Sequence, residues 1–306
     1  MSVALAVCLF LLGCRGPQMP HLSSWGQVAS GLDFPEGPVW DGEGSLYVAN
    51  CYGGWIARVV EGRVDTLVIL SPPGRPNGLA MGPGQRLYAC DFGRRLLLGI
   101  NSSGEVAAVS AGPQGAPFNR PNDLVVDSSG RVYVTDPKTY GAEAVDGRII
   151  CVDLARDTSW VAASGLAFPN GIAFSPLDGK LYVSESARQR VLRFAVREDG
   201  MLTDQEVFAE LPGGDPDGLA FDVKGNLYVA HFGGGAVIVI SPDPGVIVRV
   251  AAPGRKPSSL AFGGEGMRYL FLTETETNSV YRCAVSVPGA RLPWVEQQRD
   301  GEHGGR

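Results

Sequence analysis

The stretch DPDGLAFDVKGNLYVAHFGGG, residues 215–235, holds two short apolar runs, GLAF and LYVAH, joined by a turn rich in Asp, Gly and Asn. Five other segments repeat its opening: FPEGPVW at Pro35, RPNGLAM at Pro76, RPNDLVV at Pro121, FPNGIAF at Pro169 and KPSSLAF at Pro257. Each is followed by a second β-like run: LYVAN at Leu46, LYACD at Leu87, VYVTD at Val132, LYVSE at Leu181 and LFLTE at Leu270. The paired markers return at steps of roughly 40 to 50 residues, the period of propeller blades. Six copies predict an all-β, six-bladed β-propeller of four-stranded blades. A closed repeat array of this kind is one domain despite the chain length of 306 residues.

The flanking segments show how the ring closes. WGQVASGLDFPEG, starting at Trp25, echoes WVAASGLAFPNG, starting at Trp160, which ends one blade and leads into the next. No blade precedes the first copy, so its strand would be an open edge unless it pairs with the last blade. The expected organisation is a signal segment at 1–14, a tether at 15–24, the propeller at 25–287 and a polar tail at 288–306. Glycine (42 residues) and proline (22 residues) fall between the apolar runs, as tight β turns require.

The first residues, MSVALAVCLFLLGCRG, form an apolar core too short to span a bilayer but suited to a signal peptide. Its LLGC ending resembles a bacterial lipobox, although no Lys or Arg precedes Cys14. The expectation is an exported protein of the periplasm or cell envelope, with a membrane tether through lipid on Cys14. Of the cysteines that would remain, Cys151 and Cys283 fall on blades half a ring apart, beyond bridging distance. Cys51 with Cys90 is the one pairing the repeats allow, and buried free thiols are the expected state for most. The net charge of −6 and the absence of a basic block exclude nucleic acid as a partner.

The inner strand of each blade starts at one end of the channel with Glu36, Asn77, Asn122, Asn170, Asp217 or Ser258. All six carry side-chain oxygen. Pro-Asn-Gly and Pro-Asp-Gly also suit simple turns, but turn chemistry does not explain Glu36 in the same slot. Carboxylates and amide oxygens converging on one axis call for a hard divalent cation, Ca²⁺, Mg²⁺ or Mn²⁺ by ligand type, with Zn²⁺ an alternative. The returning second strands end in Asn50, Asp91, Asp136, Glu185, His231 and Glu274, an expected outer tier on the same rim. Asp136 reads equally as a support or a strand end, and the isolated His231 as structural or a substrate contact. GxSxG, HExxH and GxxxxGK[ST] are all absent from the sequence, so triad hydrolase, zincin and P-loop chemistry have no support.

The ordered set FPEGPVW, RPNDLVVDSSGRVYVTDP, FPNGIAF and DPDGLAFDVKGNLYVAHFGGG resembles the senescence marker protein/gluconolactonase family, which includes regucalcin and bacterial sugar lactonases. The resemblance covers nearly all of the chain after Trp25. It implies one divalent ion, Ca²⁺ first, held by Glu36, Asn170 and Asp217. Arg120 and Asn122 would contact a small-molecule substrate, and Asp217 would double as general base. The implied activity is metal-dependent hydrolysis of a sugar-type lactone. A metal-dependent phosphotriesterase is a close variant, and a non-catalytic ligand- or protein-binding propeller with a structural metal is the reading from another class.

Overall fold

The computed structural model describes residues 19–243 and 245–291. The signal segment, Cys14 and the end of the tail lie outside the described residues. Strand β1 (Gly26–Ala29) is followed by blade 1, made of β2 (Pro35–Trp40), β3 (Leu46–Asn50), β4 (Trp55–Val60) and β5 (Arg63–Ile69). Blade 2 contains β6 (Pro76–Gly82), β7 (Arg86–Asp91), β8 (Leu96–Ile100) and β9 (Val106–Ser110). Blade 3 contains β10 (Leu124–Val126), β11 (Arg131–Asp136), β12 (Gly147–Asp153) and β13 (Thr158–Leu166). Blade 4 contains β14 (Pro169–Phe174), β15 (Leu181–Glu185), β16 (Arg190–Val196) and β17 (Leu202–Glu210). Blade 5 contains β18 (Asp215–Phe221), β19 (Leu227–Phe232), β20 (Ala236–Ile240) and β21 (Ile247–Ala251). The last sheet holds β22 (Pro257–Gly263), β23 (Tyr269–Glu274) and β24 (Ser279–Ala284), with β1 as its fourth strand.

Every blade is an antiparallel meander, and its strands differ in burial according to their place. Inner and second strands such as β3 are buried along their whole length, because neighbouring blades cover both faces. The outermost β21 alternates exposed and half-buried residues, having one face in water. The first hairpin of several blades is pinned by an aspartate. Asp41 Oδ1 accepts the N–H groups of Glu43, Gly44 and Ser45 at 2.8–3.0 Å, and Asp127 and Asp222 do the same for their turns.

The blades are held to one another by a repeated aromatic contact. A second-strand tyrosine meets, edge to face, the phenylalanine at or next to the end of the next blade's first strand. Tyr133 meets Phe174 at 5.6 Å, Tyr182 meets Phe221 at 5.0 Å and Tyr228 meets Phe262 at 4.9 Å between ring centroids. At the junction between the last blade and the first, Phe271 stacks on Trp40 at 5.8 Å. Such pairs add about 0.5–1.5 kcal/mol beyond the apolar area they bury.

Closure follows the expected route. β1 pairs antiparallel with β24, setting Gly26 opposite Arg282 and Gln27 opposite Tyr281. Leu22 extends this edge by bridging to Val285, so part of the expected tether is docked. On the other side, Val223 donates its N–H to Pro288 O at 3.0 Å and Ala290 donates to Phe221 O at 2.9 Å, which ties residues 288–290 beneath blade 5. Cys51, Cys90, Cys151 and Cys283 are buried free thiols.

A chain begun at Asp33, lacking β1, leaves β24 as an open edge. We expect it to lose cooperative thermal unfolding and to self-associate on size-exclusion chromatography. A sharp, unshifted melt as a monomer would contradict the closure account.

Candidate metal and substrate site

Most ring residues lie inside strands, and Asn122 sits just ahead of β10. In most blades the inner ladder breaks at the ring residue, with register shifts between Glu36 and Val39, Pro76 and Leu79, Pro169 and Ile172, and Pro216 and Leu219. A bulge re-aims side chains, and in these blades it falls at the slot after the proline. Glu36, Asn77, Asn122, Asn170 and Asp217 line one cavity of about 10 Å³, room for about one water-sized species.

The glycine after each ring residue has a packing role. A Cβ on Gly37, Gly78, Gly171 or Gly218 would fall 2.1–2.4 Å from an atom of the following blade, the nearest being Asp217 O against Gly171. Hydrogen bonds knit the same level. Gly78 donates to Asn122 O at 2.8 Å, Thr135 Oγ1 to Asn170 O at 2.7 Å, Ser184 Oγ to Asp217 O at 2.7 Å and Ser258 Oγ to Pro35 O at 2.8 Å. Ser258 therefore departs from the expected ring: it is fully buried, and Ser259 faces the cavity in its place.

One further residue lines the cavity that the sequence reading gave no role. Asp123 occupies the slot that is glycine in blades 1, 2, 4 and 5. Its carboxylate accepts from Leu124 N at 2.9 Å and from Ile172 N at 3.2 Å, the latter an N–H beside the bulge in β14. The signal was present in RPND, where an acid interrupts a run of glycines.

Three carboxylates thus share a water-poor axis. Burial pushes Glu36 up to about 8, with the Asp123 charge adding to the rise. Burial likewise pushes Asp123 up to about 7, against the two main-chain N–H groups that favour its anion. Asp217 is held well above the carboxylate range by burial, then by Glu36, Asp123 and Asp215, with an opposing hydrogen bond from Asn170. Among the described residues no three His, Cys, Asp or Glu side chains form a ready-made ligand cluster. The donors gathered here are carboxylates together with amide oxygens, a set that fits a hard, oxygen-seeking cation.

A larger cavity of about 460 Å³ runs along the inner strands beyond the ring, walled by residues such as Val39, Leu79, Leu124, Ile172 and Phe262. Its walls are mainly apolar, and Asp123 lines both it and the small cavity. Polar, convergent chemistry belongs to the smaller one.

The expected outer tier does not face the site. Asn50, Asp91, Asp136, Glu185, His231 and Glu274 are all buried. The acids among them hold the main chain just before each inner strand: Asp91 accepts from Arg75 N at 2.8 Å, Glu185 from Ala167 N at 2.7 Å and Glu274 from Lys256 N at 2.7 Å. Asp136 accepts from Asn119 N and Arg120 N, each at 2.8 Å, and from Arg148 Nε at 2.8 Å, which fixes the segment carrying Arg120 and Asn122. His231 is structural. Its Nε2 donates to Leu211 O at 3.0 Å, and burial holds its pKa below the ordinary value. Asn122 lines the cavity, whereas Arg120 stands outside it, exposed on the rim.

With this geometry in view, comparison with known proteins is direct. The family model described as "SMP-30/Gluconolactonase/LRE-like region" matches residues 34–276. The chain belongs to the SMP-30/gluconolactonase/LRE-like family. A family relative, the 6-deoxy-6-sulfogluconolactonase of Pseudomonas putida, is 33% identical over 84% of this chain and 93% of its own length. The diisopropyl-fluorophosphatase of Loligo vulgaris is 27% identical over 84% of this chain and 90% of its own. A solved gluconolactonase from Xanthomonas campestris superposes with a TM-score of 0.76 at 27% identity, covering 85% of this chain and 89% of that one.

Two outcomes test the site as built. Gly171→Ala should lower stability in urea by about 1–3 kcal/mol through overpacking against the Asp217 main chain. The second concerns pH in the presence of chelator. The folded pKa values of Glu36 and Asp123 are raised above 4.5 and 3.8, so the folded state keeps protons that the unfolded chain has released. Their contribution is full below about pH 4 and disappears as pH rises through 7 to 8. Thermal midpoints should therefore fall from pH 5 to pH 8, and Glu36→Gln should flatten that slope.

Proposed function

We propose that the chain is a divalent-metal-dependent hydrolase that opens a sugar-type lactone. The observation that carries the reading is the meeting of Glu36, Asn170 and Asp217, from three blades, around one ion-sized cavity that leaves their carboxylates short of compensating charge. The relatives that act on lactones support the substrate class.

Glu36, Asn170 and Asp217 would hold the ion, Ca²⁺ first, with Zn²⁺, Mn²⁺ or Mg²⁺ as alternatives. When bound, such a cation supplies Lewis acidity toward a carbonyl oxygen. Asp217 takes a proton from water at a carboxylate oxygen as the water oxygen bonds to the lactone carbonyl carbon. The ring C–O bond then breaks, and the departing oxygen takes up a proton to give the hydroxy acid. Asn170 hydrogen-bonds the Asp217 carboxylate and aims it, as Ser258 does for Glu36. Asn122, in the cavity lining, would meet the reacting end of the substrate, and Arg120 would meet its hydroxyl or carboxyl groups from the rim through a planar fork. Asp136 keeps that arginine's main chain in place.

The Loligo vulgaris relative supports a second reading, a phosphotriesterase using the same residues. A panel of aldonolactones and a fluorophosphate, each with Ca²⁺, Mn²⁺, Zn²⁺ or Mg²⁺, separates the two. Asp217→Asn should reduce lactone turnover by about 10² to 10⁴, the usual weight of a general base, with an unchanged circular dichroism spectrum. Failure of the wild type to turn over any of these esters with any of the four ions would replace the enzyme by a binding propeller.

A further inference from the structure

Two residues ahead of the oxygen ring, immediately before each inner-strand proline, the six blades carry Phe34, Arg75, Arg120, Phe168, Asp215 and Lys256. This second tier is set by the main chain. The N–H groups of Arg75, Arg120 and Lys256 are each held at 2.7–2.8 Å by the buried acid of their own blade. Their charged groups are not. Asp91 and Asp136 pair instead with Arg94 and Arg148, and Glu274 accepts from the main-chain N–H groups of Lys256 and Thr277. Among the described residues, none of the three tier cations enters an ion pair with a carboxylate. The Arg75 guanidinium rests over Tyr52 and Phe92 at 5.7 and 5.6 Å, and Tyr52 packs on Phe34 at 4.3 Å.

The tier holds a single acid, and it is engaged. Tyr140, carried on the segment between β11 and β12, reaches over blade 4 and donates its hydroxyl to Asp215 Oδ2 at 2.8 Å. Its ring lies edge-on to Phe168 at 5.2 Å, and Arg188 Nε donates to Ala142 O at 2.8 Å to pin the same segment. Among the described residues this tier therefore has three cations in no carboxylate ion pair against one hydrogen-bonded acid, on a chain whose net charge is −6. Local charge opposite to the global charge draws an oppositely charged ligand to that place.

We propose that the site prefers a lactone bearing a second, anionic group, such as a free carboxylate, over an uncharged sugar lactone. Arg75 and Arg120, on adjacent blades, receive the anion, and Lys256 across the ring from Arg120 adds to the field. This rests on the lactonase reading and names its substrate class.

The test compares kcat/KM for a glucaric acid monolactone, which keeps one free carboxylate, with that for glucono-1,5-lactone, using the Ca²⁺-loaded protein. Wild type should prefer the anionic lactone by at least about tenfold, the usual weight of a hydrogen bond to a charged group. The ratio should fall toward one in Arg75→Gln, drop part-way in Lys256→Gln and survive in Arg75→Lys. Raising ionic strength from about 0.02 M to about 0.2 M should erode the ratio, because exposed charges are screened. A ratio near one in wild type, or one that the substitutions and salt leave unmoved, overturns the proposal. If neither lactone opens, calorimetry with glucarate and gluconate decides. Tighter glucarate binding that is lost in Arg75→Gln upholds the charged rim while the lactonase reading fails, and equal affinities overturn the rim as well.

Discussion

Like charge confined to a narrow, dry axis is the constraint on which this molecule turns. Glu36, Asp123 and Asp217 come from different blades and cannot relax apart, because the glycines beside them let each blade's main chain press on the next. Burial withholds water from these acids, and the few hydrogen bonds they receive do not restore the lost hydration, so protons are retained far above the ordinary carboxylate range. The tension is set by the fold rather than by any one residue. Aromatic contacts between blades and the β1–β24 pairing keep the ring closed around it.

Much of this was legible in the chain because every blade repeats the same tasks. The proline, the oxygen-bearing residue and the following apolar run recur for one reason: each marks the start of an innermost strand. Glu36, Asn170 and Asp217 could be brought to one place on paper by counting blades. The echo of WVAASGLAFPNG in WGQVASGLDFPEG foretold the extra strand at the closure. What periodicity does not convey is side-chain direction. Asp91, Asp136, Glu185 and Glu274 stand level with the ring by register, yet turn to main-chain N–H groups just ahead of each inner strand. Ser258 sits behind the ring, its hydroxyl donating to Pro35 O beside Glu36. Asp123 escaped notice for a different reason: its slot holds glycine in four blades, and the eye reads that slot as a turn.

The buried acids of the second strands link the two levels of the site. By holding the main chain one or two residues ahead of the proline in blades 2, 3, 4 and 6, they fix where the ring residue falls. Asp136 shows the coupling most fully, holding Asn119, Arg120 and Arg148 together. Support of this kind, one layer behind the reacting groups, is what keeps a constellation from loosening.

The two levels are unequal in what they tolerate. At the ring, a single added methyl collides with the adjoining blade. Two positions earlier, ahead of each proline, the residue type varies, and Phe, Arg, Asp and Lys all occur there in one molecule. Inheritance can therefore act on the second position without disturbing the first. A single codon exchange ahead of a proline changes the charge of the outer tier and leaves the oxygen-bearing residues of the ring as they are, so the two levels can vary apart.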